Sequence, residues 1–169
     1  MGIRNSAKAL IPDKTGSKIL LNKSQNSLGD IWEEFPDGVI YYDLPGGGQN
    51  QYETLKEAVK RECLEELGIA LEVGKLAAIY EEIEMNEDFR KQHEPHAHKI
   101  FFVFICRALD EPVKQATEKD LDMIGSEWVE IENIKNILFY PEIIKSNIDI
   151  ILKTENPMYL GSHRAGGNI

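Results

Sequence analysis

Glu62, Glu65 and Glu66 stand at positions i, i+3 and i+4 of a segment with helical periodicity. That spacing brings side chains to within about 5–6 Å of one another at their β-carbons. Leu55, Ala58 and Val59 set an apolar sector on the same helix, and at about 100° per residue Glu62 and Glu66 project into that sector. Acids therefore occupy a face built for burial. At an effective dielectric near 20, each like-charge pair at about 5 Å costs on the order of 3 kcal/mol, so the cluster requires proton uptake or a cation. A Glu-rich helix face is ordinarily just solvated, but these apolar neighbours argue against that. Helical spacing pairs Glu57 with Arg61 on the outer side and places no lysine or arginine squarely on the three acids. Hard carboxylate oxygens in this arrangement suit Mg²⁺, with Mn²⁺ as a substitute.

The elements that position these acids can be read around them. The helical pattern covers Glu53 to Leu67 and is closed by Gly68, where a left-handed cap fits. Gly46, Gly47 and Gly48 form a loop leading to its N-terminus, where backbone without side chains can approach a substrate closely. Strand-like segments fall at 4–11, 18–21, 38–44, 71–85, 99–109 and 127–131. Ile100 to Cys106 is apolar on both alternating faces, so this strand should be central and covered on both sides. A second helix begins at Pro141 and places Ile144, Ile148, Ile151 and Leu152 on one stripe, preceded by a short helical turn near Ile134 to Leu138. The pattern predicts an α/β fold, one mixed sheet with a helix on each face. Residues 1–155 form the expected domain, and 156–169, rich in glycine toward the end, a flexible C-terminal tail.

Composition bounds the rest. With 169 residues, 42% hydrophobic and 28% charged, the chain is long enough for one domain with a sizeable core. Nineteen basic residues against 29 acidic ones give a net charge of −10, which repels a nucleic-acid duplex or an anionic membrane. The longest apolar run is far shorter than the roughly 20 residues of a membrane helix. Cys63 and Cys106 each lie in an apolar stretch, which fits buried thiols in a reducing compartment and a cytoplasmic protein. The sequence is compatible with a homodimer without requiring one.

Gly47, five residues, Glu53, seven residues, Arg61-Glu62, apolar Cys63, any residue, Glu65-Glu66, any residue, Gly68 and apolar Ile69 resemble the signature of the Nudix (MutT-like) hydrolases at every fixed position. Seven required identities at about 5–7% each coincide by chance at about 10⁻⁸ per starting point. Leu44-Pro45-Gly46-Gly47, Trp128-Val129 and the C-terminal helix also look like the family. The resemblance implies an α/β/α sandwich with a mixed sheet between helices. It implies Mg²⁺-dependent hydrolysis of the diphosphate linkage in a nucleoside diphosphate derivative, NDP-X to NMP and P-X, by metal-activated water. By position Glu62, Glu65 and Glu66 correspond to metal ligands, Arg61 to the residue that orients them, and Glu53 to a brace of the loop or an aid to the attacking water. A noncatalytic nucleotide-sensing domain is the competing reading, against which the intact acid set argues.

The signature does not fix a general base. Glu118, Asp120, Asp122 and Glu127 before or beside Trp128, and Glu81, Glu82 and Glu84 after the motif, are the candidates, with Glu118 and Asp122 favoured by their loop setting. His93, His96 and His98 lack metal-site spacing and read as a polar loop from which one histidine can face substrate. Trp32, Tyr41 and Tyr42 precede the glycines and could stack on a base. The proline and tyrosine that mark many ADP-ribose and dinucleoside polyphosphate hydrolases of the family are absent from the region of Met85, Asn86 and Glu87.

Overall fold

The structure, a computed structural model, describes residues 2–27, 35–109 and 122–166. In chain order the elements are β1 (Arg4–Leu10), β2 (Lys18–Gln25), β3 (Ile40–Asp43), β4 (Gly46–Gly48), α1 (Leu55–Leu67), β5 (Leu71–Glu84) and α2 (Glu87–Gln92). There follow β6 (His98–Ala108), β7 (Met123–Glu130), β8 (Phe139–Tyr140), α3 (Glu142–Lys153) and β9 (Met158–Ala165), with 3₁₀ turns at Glu94–His96 and Ile131–Asn136. The expected mixed α/β fold is present, with its strands divided between a five-stranded sheet, β4-β1-β6-β5-β9, and a four-stranded sheet, β7-β2-β3-β8. Both sheets are mixed: β6 runs parallel to β1 and antiparallel to β5, and β3 runs antiparallel to β2 and parallel to β8.

The apolar strand at 100–106 is the centre of the larger sheet, and its alternation shows why. Phe102, Phe104 and Cys106 pack in the core on the α1 side, Val103 and Ile105 in the core on the α3 side. On β1 the α1 side carries Ala7 and Ala9, both fully buried. Their small side chains let Ala58, Val59, Cys63 and Leu67 of α1 come close to the sheet. The α3 face carries Ile144, Ile148 and Ile151 against Leu10, Ala77, Ala78 and Phe139. Both cysteines are free and buried; burial pushes the Cys106 thiol up to about 12 and raises Cys63 well above its ordinary value. Among the described residues no helix is long and apolar enough to cross a membrane.

Three expectations are corrected. The helix begins at Leu55, one turn being set by a capping box in which Thr54 accepts from the Glu57 backbone and the Glu57 carboxylate accepts from the Thr54 backbone at 2.8 Å. Glu57 is thus taken up by the cap and does not pair with Arg61. Gly46–Gly48 is not a loop but an edge strand, antiparallel to Ser6–Lys8 of β1. The segment expected as a tail contains β9, which pairs in parallel with Ala78–Glu84 of β5; β5 would otherwise be a long open edge.

Gly68 closes α1 with φ +66°, its N–H bonding the carbonyls of Cys63 and Leu64. Gly68→Ala forces a Cβ into this left-handed conformation and should cost about 1 kcal/mol. The expected result is a lower urea midpoint at unchanged m-value; an unchanged midpoint would contradict the cap geometry.

Candidate active site

Arg61 does what helical spacing alone did not show. Its Nε and Nη2 hold the two oxygens of Glu53 at 2.8 and 3.0 Å, a bidentate pair. Its Nη1 donates to Glu62 at 2.8 Å and to Glu65 at 3.0 Å, and Nη2 also donates to the Gly48 carbonyl at 2.8 Å. One guanidinium therefore ties two of the three acids, the loop before α1 and the glycine strand into a single unit. The expectation that no arginine sits on the acid cluster is corrected: Arg61 stands next to Glu62 and at i, i+4 to Glu65, and its long side chain bonds both carboxylates. The Arg61 fork in turn holds the Glu53 carboxyl below its ordinary value.

Glu66 is held differently. Only 6% exposed, it accepts from Asn22 Nδ2 at 3.0 Å and from the Gly46 backbone N–H at 2.9 Å. Burial raises its pKa to about 7, against the lowering effect of Lys8 and with a further upward push from Asp43. The glycine strand lies tightly against these acids. A Cβ at Gly47 would stand 2.5 Å from the Glu62 carboxyl carbon, so only glycine lets that carboxylate rest on the strand.

Glu62, Glu65 and Glu66 do not close into a cage as they stand, since Glu62 and Glu65 hold Arg61 while Glu66 holds Asn22 and Gly46. Among the described residues no three His, Cys, Asp or Glu side chains converge tightly enough to bind a metal. The donor set nevertheless fits a hard divalent ion: three carboxylates on neighbouring helical positions, one of them buried, beside a strand that leaves the Gly47 side of Glu62 free of side chain. Asn22, whose Nδ2 bonds Glu66, carries a buried Oδ1 without a hydrogen-bond partner among the described residues.

A cleft of about 400 Å³ opens over Gly46, Gly47 and Glu66. Its β1 wall presents Arg4, Ser6 and Lys8, its β6 wall Lys99 and Phe101, and Tyr41, Phe89, Met123 and Tyr140 also line it. Lys8 pairs with Asp43 at 3.0 Å, and Lys99 with Glu82 at 3.0 Å and with the Tyr140 hydroxyl. A larger hollow of about 840 Å³ beside Trp128 and Leu109 contains none of the motif's residues.

The remaining sequence candidates separate on this geometry. His93 and His96 line the cleft, whereas His98 is bonded to Glu81 at 2.9 Å. Tyr41 lines it and stacks on Phe35, while Tyr42 faces Lys23 and Glu127 outside it. Trp32, Glu118 and Asp120 lie outside the described residues. Among the acids weighed as general base, Asp122 lines the cleft and accepts from Ser27 Oγ. Glu82 and Glu84 are buried, Glu84 accepting from the Asn86 N–H, and Glu127 binds Lys23. Sequence reasoning missed Arg4, Lys8, Asn22, Asp43 and Lys99. The signal for the first two was that Arg4, Ser6 and Lys8 fall at alternate positions of β1, on the face opposite Ala7 and Ala9.

The fold that carries this site is shared with solved structures of hydrolases. The chain belongs to the NUDIX domain family, whose model matches residues 3–146. A NUDIX hydrolase from Nitrosomonas europaea is similar at 17% identity and TM-score 0.65, over 88% of this chain and 87% of that one. An ADP-ribose pyrophosphatase from Streptococcus suis is similar at 18% identity and TM-score 0.58, over 96% of this chain and 100% of that one. A UDP-X diphosphatase is similar at 18% identity and TM-score 0.63, over 94% and 67%. These likenesses establish the shared fold.

The depressed Glu53 carboxyl carries a stability consequence. Its contribution is complete above the ordinary glutamate range and is lost as pH falls through the lower folded-state value. Arg61→Ala should return Glu53 to the ordinary range, seen as an upward move of its ¹³C-carboxyl titration, and should flatten the acid limb of the stability curve. An unmoved titration would remove Arg61 as the cause.

Proposed function

We propose that this protein hydrolyses the diphosphate linkage of a nucleoside diphosphate derivative, releasing NMP and P-X, with Mg²⁺ as its ion and Mn²⁺ able to replace it. The observation that carries this reading is Glu66, a buried carboxylate on the cleft wall, bonded to the glycine strand and adjacent in sequence and space to two further acids. Glu62, Glu65 and Glu66 would hold the divalent ion, which supplies charge neutralisation and a polarised phosphoryl group when bound. A pyrophosphate diester is an anion and this chain carries a net charge of −10, so attraction between them has to be made locally.

The chain's own groups then have distinct tasks. Arg61 orients Glu62 and Glu65, and Glu53 fixes the Arg61 fork from the other side. Gly46 and Gly47, without side chains, let the strand lie close against β1 and against the Glu62 carboxylate. Tyr41, Phe89 and Phe101 among the lining residues offer aromatic surface suited to a nucleobase. We place Asp122 in the proton-accepting role: as the water oxygen bonds to phosphorus, its proton passes to Asp122. The bridging P–O bond breaks and the leaving phosphate keeps its electron pair. The names of two similar structures, an ADP-ribose pyrophosphatase and a UDP-X diphosphatase, support nucleotide-linked diphosphates as the first substrates to try.

The test is a panel of ADP-ribose, UDP-sugars, nucleoside triphosphates and dinucleoside polyphosphates with Mg²⁺, followed by chelation and Mn²⁺ add-back. Release of NMP that stops on chelation is expected; no turnover of any member would defeat the proposal. Glu66→Gln keeps a group able to bond the Gly46 N–H and should retain the thermal midpoint within a few degrees while kcat falls by at least about 10². Asp122→Asn should lower kcat by about 10²–10⁴ with little change in KM.

A further inference from the structure

Three cations line the walls of the cleft on β1 and β6, and two of them are already matched. Lys8 is bound to Asp43 and the Gly46 carbonyl, and Lys99 to Glu82 and the Tyr140 hydroxyl. Arg4 is different. It lies on the same face of β1 as Lys8, opposite Lys99 in the parallel register of β1 and β6, and among the described residues no carboxylate pairs with it. Its guanidinium is nevertheless not loose in solvent. It lies across Gly48, where a Cβ would stand 2.5 Å from its Cζ and Nη2 and 3.0 Å from its Nε. That glycine is fixed from its other group, since its carbonyl accepts from Arg61.

We propose that Arg4 is a substrate-binding residue whose guanidinium engages one phosphoryl group of the diphosphate directly, an assignment that rests on the function proposed above. The strand itself sets the reach. Gly46 bonds Glu66, and Gly48, two residues on and on the same face of the sheet as Lys8 and Arg4, carries the Arg4 head group, while Gly47 turns to the opposite face against Glu62. Residues in an extended strand advance about 3.4 Å each, so the strand positions that hold Glu66 and Arg4 are about 7 Å apart. An anion two phosphoryl groups long spans that distance, one end toward Glu66 and the other at Arg4, and both residues line the cleft. A planar guanidinium suits this place because it meets two phosphate oxygens at once, which a lysine ammonium does not. Gly48 then has a function distinct from that of Gly47: it leaves room for Arg4 to lie flat beside the bound anion.

The experiment compares wild type, Arg4→Ala, Arg4→Lys and Gly48→Ala, with circular dichroism and thermal midpoints to confirm folding. Calorimetry reports binding of α,β-methylene-ADP, a non-hydrolysable diphosphate, in the presence of Mg²⁺; steady-state assays report KM and kcat on whichever diphosphate the wild type turns over. Arg4→Ala should weaken analogue binding by about tenfold to a hundredfold, the size expected for hydrogen bonds to a charged group, and Arg4→Lys should recover only part of it. Gly48→Ala keeps the charge but displaces the head group, so it should reproduce the Arg4→Ala defect. Added guanidinium ion should restore part of the turnover of Arg4→Ala, which no purely structural role would produce. If Arg4→Ala binds and turns over diphosphates within twofold of an active wild type, Arg4 is not a phosphoryl ligand and the proposed function stands without it. A wild type that neither binds the analogue nor hydrolyses any diphosphate overturns the function and this assignment together.

Discussion

The site depends on one guanidinium set among carboxylates that would otherwise repel one another. Glu53, Glu62 and Glu65 all bond Arg61, and Glu53 does so with both oxygens. At a few ångströms and an effective dielectric near 20, each added like-charge contact costs a few kcal/mol, so a single cation shared by three acids changes the cluster from self-repelling to self-locking. The partners also come from two segments, the loop before α1 and the helix itself, while the Gly48 carbonyl adds the edge strand. The fork thus sets where the loop, helix and strand stand relative to one another. A lysine has the charge for this but not the five directed donors.

The fourth acid shows what happens where the guanidinium does not reach. Glu66 faces the apolar core side of α1 and is compensated by neutral donors, Asn22 and the Gly46 N–H, with Lys8 acting at longer range. Neutral donors offset burial only in part, which leaves its pKa raised to about 7, whereas Glu62 and Glu65 are bonded to a guanidinium. The cluster is therefore chemically uneven although its residues are of one type. Such unevenness is created by surroundings and not by the side chains themselves.

Local features were legible in the sequence because their causes are local. The helix through Leu67, its Gly68 cap and the central position of the strand at 100–106 follow from periodicity and a few punctuating residues. The same holds for the placement of Glu66 on a buried face. What escaped depends on register between distant segments. Lys8 meets Asp43 across 35 residues, and Asn22 meets Glu66 across 44, and no spacing rule links such pairs. The glycines were misread as a loop for a related reason: three residues without side chains carry no alternation, and only the β1 edge beside them makes them a strand. Likewise β9 has too few buried apolar side chains to announce itself and is held by backbone pairing to β5. The Arg61 contacts fall between these cases, close in sequence yet decided by a long side chain's rotamer.

Net charge and local charge also give different answers, and the cleft explains how both hold. A balance of −10 governs long-range encounters with polyanions, which feel the whole molecule across a Debye length of about 8–10 Å or more. A small anion inside a cleft feels the groups lining it, and here the strands β1 and β6 place Arg4, Lys8 and Lys99 on one concave face. Asp43 and Glu82 fix the two lysines in position while cancelling most of their attraction. Those pairs define the shape of the walls, and Arg4 over Gly48 has no carboxylate partner among the described residues to cancel its field. On the function proposed above, attraction for a phosphorylated ligand is set by these few groups at short range and not by the net charge of the whole molecule.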